Sequence, residues 1–525
     1  MQRQRVGRVD PSPVGGEALT RTLGQIRAEA WLPALALLMA ATAGALVALE
    51  LPDSASIGVV VVTLAPFGVL IFRRPARAAT LAATLAFVVA LIWAYRSHFS
   101  PLFAYNGLTD AAPGASAILV AVLLAALPAA WLPINARGPS TILLWALYLV
   151  GYVPSILVPV LMNGGLRPAL PFDAALLGSM AILALIPRMR PAPIAVPHLS
   201  LTVCTRLLAA LGLVCLLYII AAFGVHSPPS LGNVYATRAS FDTAVGDAAG
   251  AGYIVPWAGN VINPTLMALG LARNRAAIML LGIFGQLVIY SDTGYKSVLF
   301  AVALAPLVYV AVSRTSRVFG LVASLGTTVT LVCAVLGNSI TGGWSIALAN
   351  RTFATPGQVG YYYYDFFSFH QKEHLGHSFL RGFLHSPYAD TPPYVIGDAY
   401  FPGFHTDANA HVWADAFANF GFGGVIAFTL VLGLVLWIAD GLGRGRDARV
   451  AGPMFAIAGL SLASSALFTT LMTQGVGLAC VLLALLPPGP IEAARPVYRR
   501  RVPLRWMNHR AGREAPAGRP RHDWD

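Results

Sequence analysis

Residues 141–161 read TILLWALYLVGYVPSILVPVL, twenty-one positions without one charged side chain. At about 1.5 Å of rise per residue, a helix of this length reaches about 31 Å. That matches a bilayer's hydrocarbon core, roughly 30 Å thick. Strands of a membrane barrel would instead alternate apolar and polar residues over about ten positions. A long, continuous apolar run in lipid must satisfy its backbone groups internally, and a helix does so.

Runs of the same kind recur along the chain, centred on 31–50, 55–72, 79–95, 115–133, 141–161, 173–187, 206–224, 251–271, 276–291, 297–313, 318–337, 421–439, 451–468 and 471–487. The expected fold is therefore all-α: a polytopic transmembrane helix bundle of about fourteen spans with a large extracytoplasmic loop. The 525 residues are 57% hydrophobic and 11% charged, with mean hydropathy +0.68. A soluble domain is roughly a quarter charged, so an ordinary cytosolic enzyme is excluded. Apolar content is high everywhere but at the two ends, which excludes a disordered chain. The first run is twenty residues long and follows about thirty residues carrying five arginines, so it reads as a retained helix rather than a cleaved signal. The chain divides into a basic tail (1–30), eleven spans (31–336), the large loop (337–421), three spans (422–487) and an Arg-rich tail (488–525).

Threading these spans with the N-terminus inside puts 28 of the 35 basic residues on the cytoplasmic side. Arg96, Arg167, Arg238, Lys296, Arg351, Lys372 and Arg381 fall outside. This bias predicts an even number of spans and two cytoplasmic termini in a bacterial inner membrane. It also explains the net charge of +13 without a nucleic-acid partner. Basic tails such as Arg499-Arg-Arg501 meet anionic lipid headgroups. The 33 Arg to 2 Lys, with abundant Ala, suggest a high-GC bacterial genome. Cys204, Cys215, Cys333 and Cys480 all fall in or beside spans and form no C-x-x-C pair, so they read as apolar fillers.

Chemistry concentrates in the outer segments. The 337–421 loop, with six of the eleven histidines, also holds Tyr361-Tyr362-Tyr363-Tyr364-Asp365. Aromatic faces beside a carboxylate suit a sugar; the alternative is an interfacial belt or a small core of the loop itself. Arg238 and Lys296 sit beside spans, where a cation is costly unless paired. Together with Arg351 and Arg381 they could clamp a diphosphate whose lipid tail lies in the bilayer. An ion pair of Lys296 with Asp292 is the simpler alternative. His405, Asp407, His411 and Asp415 are candidates to position or deprotonate an acceptor hydroxyl. The same spacing could hold a metal, which the chemistry does not demand, and none is expected. His411 and Asp415 would share a helix face if a helix begins near Asn409, as a base with its orienting carboxylate or as a cap. No phosphate loop, nucleophile elbow or His-Glu-x-x-His helix is present.

Gly397-Asp-Ala-Tyr-Phe-Pro-Gly403 and the run from Ala408-Asn-Ala-His-Val-Trp-Ala-Asp415 to Gly424 resemble bacterial oligosaccharide repeat-unit polymerases, the Wzy-type O-antigen polymerases. Val234-Tyr-Ala-Thr-Arg238 and Thr293-Gly-Tyr-Lys296-Ser297 are similar to that family's outer Arg motif and small-residue basic turn. The resemblance covers about 205–440. It implies a glycosyltransferase at the outer face of the inner membrane, moving a glycan from one undecaprenyl-diphosphate carrier to a sugar on another, with no nucleotide sugar, metal or other cofactor. Arg238 and Lys296 match the family's basic residues by position, and Arg351 lies where further loop arginines occur. Fourteen spans exceed the family's usual dozen or so. A chain-length regulator and a flippase are the expected protein partners. A ligase acting on a different acceptor has nearly the same architecture. A transporter would place charges near the midplane, in two related halves, and neither feature is visible here.

Overall fold

The computed structural model describes residues 75–192, 194, 196–229, 234–403 and 405–491. The expected spans 31–50 and 55–72, the tail 1–30 and residues 492–525 lie outside the described residues. In chain order the helices are α1 (Ala76–Asn106), α2 (Ala115–Ala126), α3 (Pro139–Asn163), α4 (Leu170–Arg188) and α5 (Leu201–Phe223). There follow α6 (Val234–Asp247), α7 (Ala251–Arg273), α8 (Ala276–Thr293), α9 (Lys296–Thr315) and α10 (Phe319–Leu336). Then come α11 (Trp344–Phe353), α12 (Thr355–Phe369), α13 (Pro392–Tyr400), α14 (Val412–Gly443), α15 (Ala448–Leu460) and α16 (Leu467–Leu485). No strand occurs among the described residues.

Helix ends follow from the flanking residues. Ser200 Oγ accepts from the Val203 N–H at 3.4 Å to start α5, and Gly224, at φ 96°, stops it. Gly294, at φ 62°, closes α8. π turns interrupt α1, α3 and α7 at Tyr95–Phe99, Tyr148–Tyr152 and Ala258–Ile262. In α7 the Gly259 carbonyl accepts from buried Gln286 Nε2 of α8 at 2.8 Å, as backbone groups away from water require. Small residues then let backbones approach: a Cβ on Gly270 of α7 would lie 2.5 Å from the Met279 nitrogen of α8.

Among the described residues nine helical stretches are long and apolar enough to cross a membrane: α1, α3, α4, α5, α7, α8, α14, α16 and the stretch Lys296–Leu336, which contains α9 and α10. The chain is thus a multi-pass helical membrane protein. The span expected at 421–439 lies within α14, which begins earlier, at Val412. Phe420 and Gly421 (φ 62°) leave helical geometry, so the first two turns form a separate buried segment before the apolar stretch. The sequence reading allows a helix from near Asn409 but counts the stretch before 421 with the loop, because Asp415 and Asn419 are polar.

Segment 337–421 is folded, with α11, α12, α13 and the start of α14 packed on the bundle. Following the helices end to end, the end carrying this segment holds Arg96, Arg167, Arg238, Lys296, Arg351, Lys372 and Arg381. The opposite end carries the denser set, Arg77, Arg137, Arg188, Arg190, Arg206, Arg273, Arg275, Arg314, Arg317, Arg444, Arg446 and Arg449. Arg77 and Arg188 there donate to the carbonyls of Ala130 and Trp131.

Candidate functional site

Three parts of the chain bring cations together at the end that carries the folded segment. Gly294 makes this possible: a Cβ there would sit 2.8 Å from the Val234 carbonyl oxygen, so only glycine lets the α8–α9 corner close on the start of α6. That corner presents Tyr295 and Lys296. The Arg238 guanidinium of α6 lies 5.0 Å from the Tyr295 ring centroid, and the Tyr295 hydroxyl donates to Asp242 at 3.4 Å. Lys296 Nζ lies 4.2 Å from the ring of Trp344, which opens α11. Arg351 stands in the last turn of the same helix.

Asp407 joins this group. Crowding by the surrounding chain pushes its carboxyl up; the Asn409 side-chain hydrogen bond at 2.5 Å and the nearby Arg238 and Arg351 charges offset part of that rise. The structure therefore gathers Arg238, Lys296, Arg351 and Asp407. Arg381 stays exposed in the turn-rich segment between α12 and α13, with no described contact to them.

The other acid–base candidates are dispersed. His405 stacks on Tyr394 (centroids 4.4 Å apart) and places Nδ1 3.1 Å from Asp398. His411 is fully buried and caps α14, its Nδ1 accepting from the Ala414 N–H at 3.2 Å. Burial drives its pKa down to about 3, so it is neutral at physiological pH. The Asp415 carboxylate accepts from Asn419 Nδ2, and no described side-chain hydrogen bond links it to the His411 ring; only the Asp415 N–H donates to the His411 carbonyl, at 3.1 Å. Among the described residues no three His, Cys, Asp or Glu side chains converge as metal ligands.

Neighbouring rings cover most of the tyrosine run. Tyr362 stacks on Tyr400 at 4.2 Å, Tyr363 is buried, and Tyr364 stacks on Phe172 at 5.2 Å. Tyr361 is half-buried, its hydroxyl pushed up to about 12 by burial and by Asp365. Asp365 accepts from the Tyr400 hydroxyl at 2.5 Å. Burial and this bond hold the Tyr400 phenol protonated far above its ordinary range. Tyr400→Phe keeps the stack and removes the bond. It is expected to lower stability by about 1.5–3 kcal/mol, as for hydrogen bonds to charged groups, read as a drop in thermal midpoint; an unchanged midpoint would show that the bond adds nothing.

One group had received no role from the sequence, and another had been given a different partner. Lys372, one of two lysines, lies 3.9 Å from the Phe417 ring centroid and donates to the Phe367 carbonyl; burial brings its amine down to about 8. Asp292, considered as a partner for Lys296, pairs instead with His226 at 2.9 Å. Lysine scarcity was a signal for the first; nothing local announced the second. Compared with protein-family models, curated proteins and solved structures, the chain finds no match in any of the three.

Proposed function

We propose that this chain is a membrane glycosyltransferase that polymerises undecaprenyl-diphosphate-linked oligosaccharide units, transferring glycan from one lipid carrier to a sugar hydroxyl on another. The observation that carries this reading is the gathering of Arg238 and Arg351 about Asp407, with Lys296 beside Arg238, at the cation-poor end of the bundle. Cations from separate helices suit a diphosphate, which is polyanionic and becomes more negative at its bridging oxygen as the glycosyl bond breaks. The membrane anchors the lipid tail beside them. Tyr361 and Asp365 lie on α12 of the folded segment and offer a half-open ring and a carboxylate to sugar.

In this reading the bundle has about fourteen spans in a bacterial inner membrane, both termini are cytoplasmic, and segment 337–421 faces outward. The distribution of arginine supports that orientation. A chain-length regulator and a flippase act alongside it, and the reaction needs no nucleotide sugar, metal or nucleic acid.

The test is the glycan state of a deletion strain. Single units accumulating on outward-facing carrier, with long polymer absent, are the expected result. Units held on the cytoplasmic leaflet would mean a flippase, and full-length polymer stalled on its carrier would mean a ligase.

A further inference from the structure

His226 and Asp292 come from segments 66 residues apart and meet where α5 and α8 end. His226 Nδ1 lies 2.9 Å from Asp292 Oδ1. The carboxylate is 2% exposed and the imidazole 59%. An ionised carboxylate only accepts, so the proton between them sits on Nδ1, and the Nε2 lone pair is left for the open side. A surface ion pair has no need of one deeply buried member. Burying a carboxylate is costly, and its Oδ2 has no hydrogen-bond partner among the described residues. This carboxylate holds one ring in one tautomer and orientation, as an orienting group does for a general base.

The pair borders the cationic group. Asp292 precedes Lys296 by four residues across the Gly294 corner. Phe223, at the end of α5, packs on Phe241 at 5.0 Å, and Phe241 packs on Tyr295 at 5.7 Å, the ring under Arg238. His226 follows Phe223 by three residues.

Resting on the glycosyltransferase reading, we propose that His226, oriented by Asp292, is the general base that activates the acceptor hydroxyl. His226 Nε2 takes the proton of the acceptor O–H as that oxygen bonds to the donor's anomeric carbon. The bond from that carbon to the diphosphate oxygen breaks, and its electron pair leaves on the diphosphate held by Arg238, Lys296 and Arg351. The imidazolium then returns its proton to solvent. Asp292 is a positioning residue.

The experiment uses the purified full-length protein in lipid nanodiscs with lipid-linked units extracted from the deletion strain. His226→Ala is expected to lower kcat by about 100-fold or more, the usual contribution of a general base, with KM for the lipid-linked donor little changed. Because the ring is exposed, added imidazole should restore part of the rate. Asp292→Asn should lower kcat with unchanged KM and show no such rescue. A full rate in His226→Ala overturns the proposal while the wild type still polymerises. So does a loss that imidazole does not relieve, whether the thermal midpoint is kept or lowered, since a mere tie between α5 and α8 behaves that way. Failure of the wild type to extend the units overturns the function itself.

Discussion

An Arg238→Ala chain is expected in the membrane at its normal level, and cells relying on it are expected to make no long glycan. Arg238 is exposed on α6 and touches the fold through the face of Tyr295. An exposed cation–π contact is worth about 0.5–1 kcal/mol, too little to unfold a bundle of this size. Loss of one donor to a developing oxyanion lowers kcat by about 10²–10³. Activity should therefore collapse while abundance holds. Arg238→Lys should recover only part, because a point charge lacks the planar fork that grips two phosphate oxygens. Arg314→Ala, at the opposite end of the bundle, should leave polymer unchanged. Glycan gels beside an immunoblot of the membrane fraction read both quantities. Full polymer length in Arg238→Ala would remove the diphosphate role.

What the sequence disclosed follows the range of the interactions. Apolar runs set helices by local composition, and each expected span among the described residues overlaps a helix. The Gly294–Lys296 corner was also visible locally, because a glycine and a lone basic residue beside a span are unusual neighbours. Contacts between distant segments were not. Nothing near Tyr362 announces that Tyr400 will cover its face, and nothing near Asp292 announces His226. His411 shows the limit clearly. Its spacing to Asp415 fits a base with its carboxylate, but the same imidazole can cap a helix, and burial beside Phe172 and Trp413 accompanies that second geometry. Spacing alone does not report burial.

Gly357→Ala should be severely damaging, because it lies where the folded segment seats on the bundle. A Cβ on Gly357 of α12 would lie 2.2 Å from the Pro154 carbonyl oxygen of α3 and 2.6 Å from its carbon. Both are backbone atoms, just past the π turn Tyr148–Tyr152, so no side chain can rotate away. The helix itself must lift, and it carries the tyrosine run. One turn further on, Gly360 meets the same constraint against buried His411, where a Cβ would be 2.3 Å from Nε2. Displacing α12 therefore strains the cap of α14 as well. Overpacking costs about 1–3 kcal/mol where neighbours can adjust, and here they cannot, so a loss of about 3 kcal/mol or more is expected. Gly178 of α4 supplies the contrast, because a Cβ there meets nothing within 4 Å. Alanine in that helix should be neutral or stabilising by up to about 1 kcal/mol. The same substitution thus changes sign between two helices of one chain, which intrinsic helix propensity cannot produce. Thermal midpoints of the two purified variants decide it: a Gly357→Ala protein as stable as wild type would mean that α12 is not seated on α3.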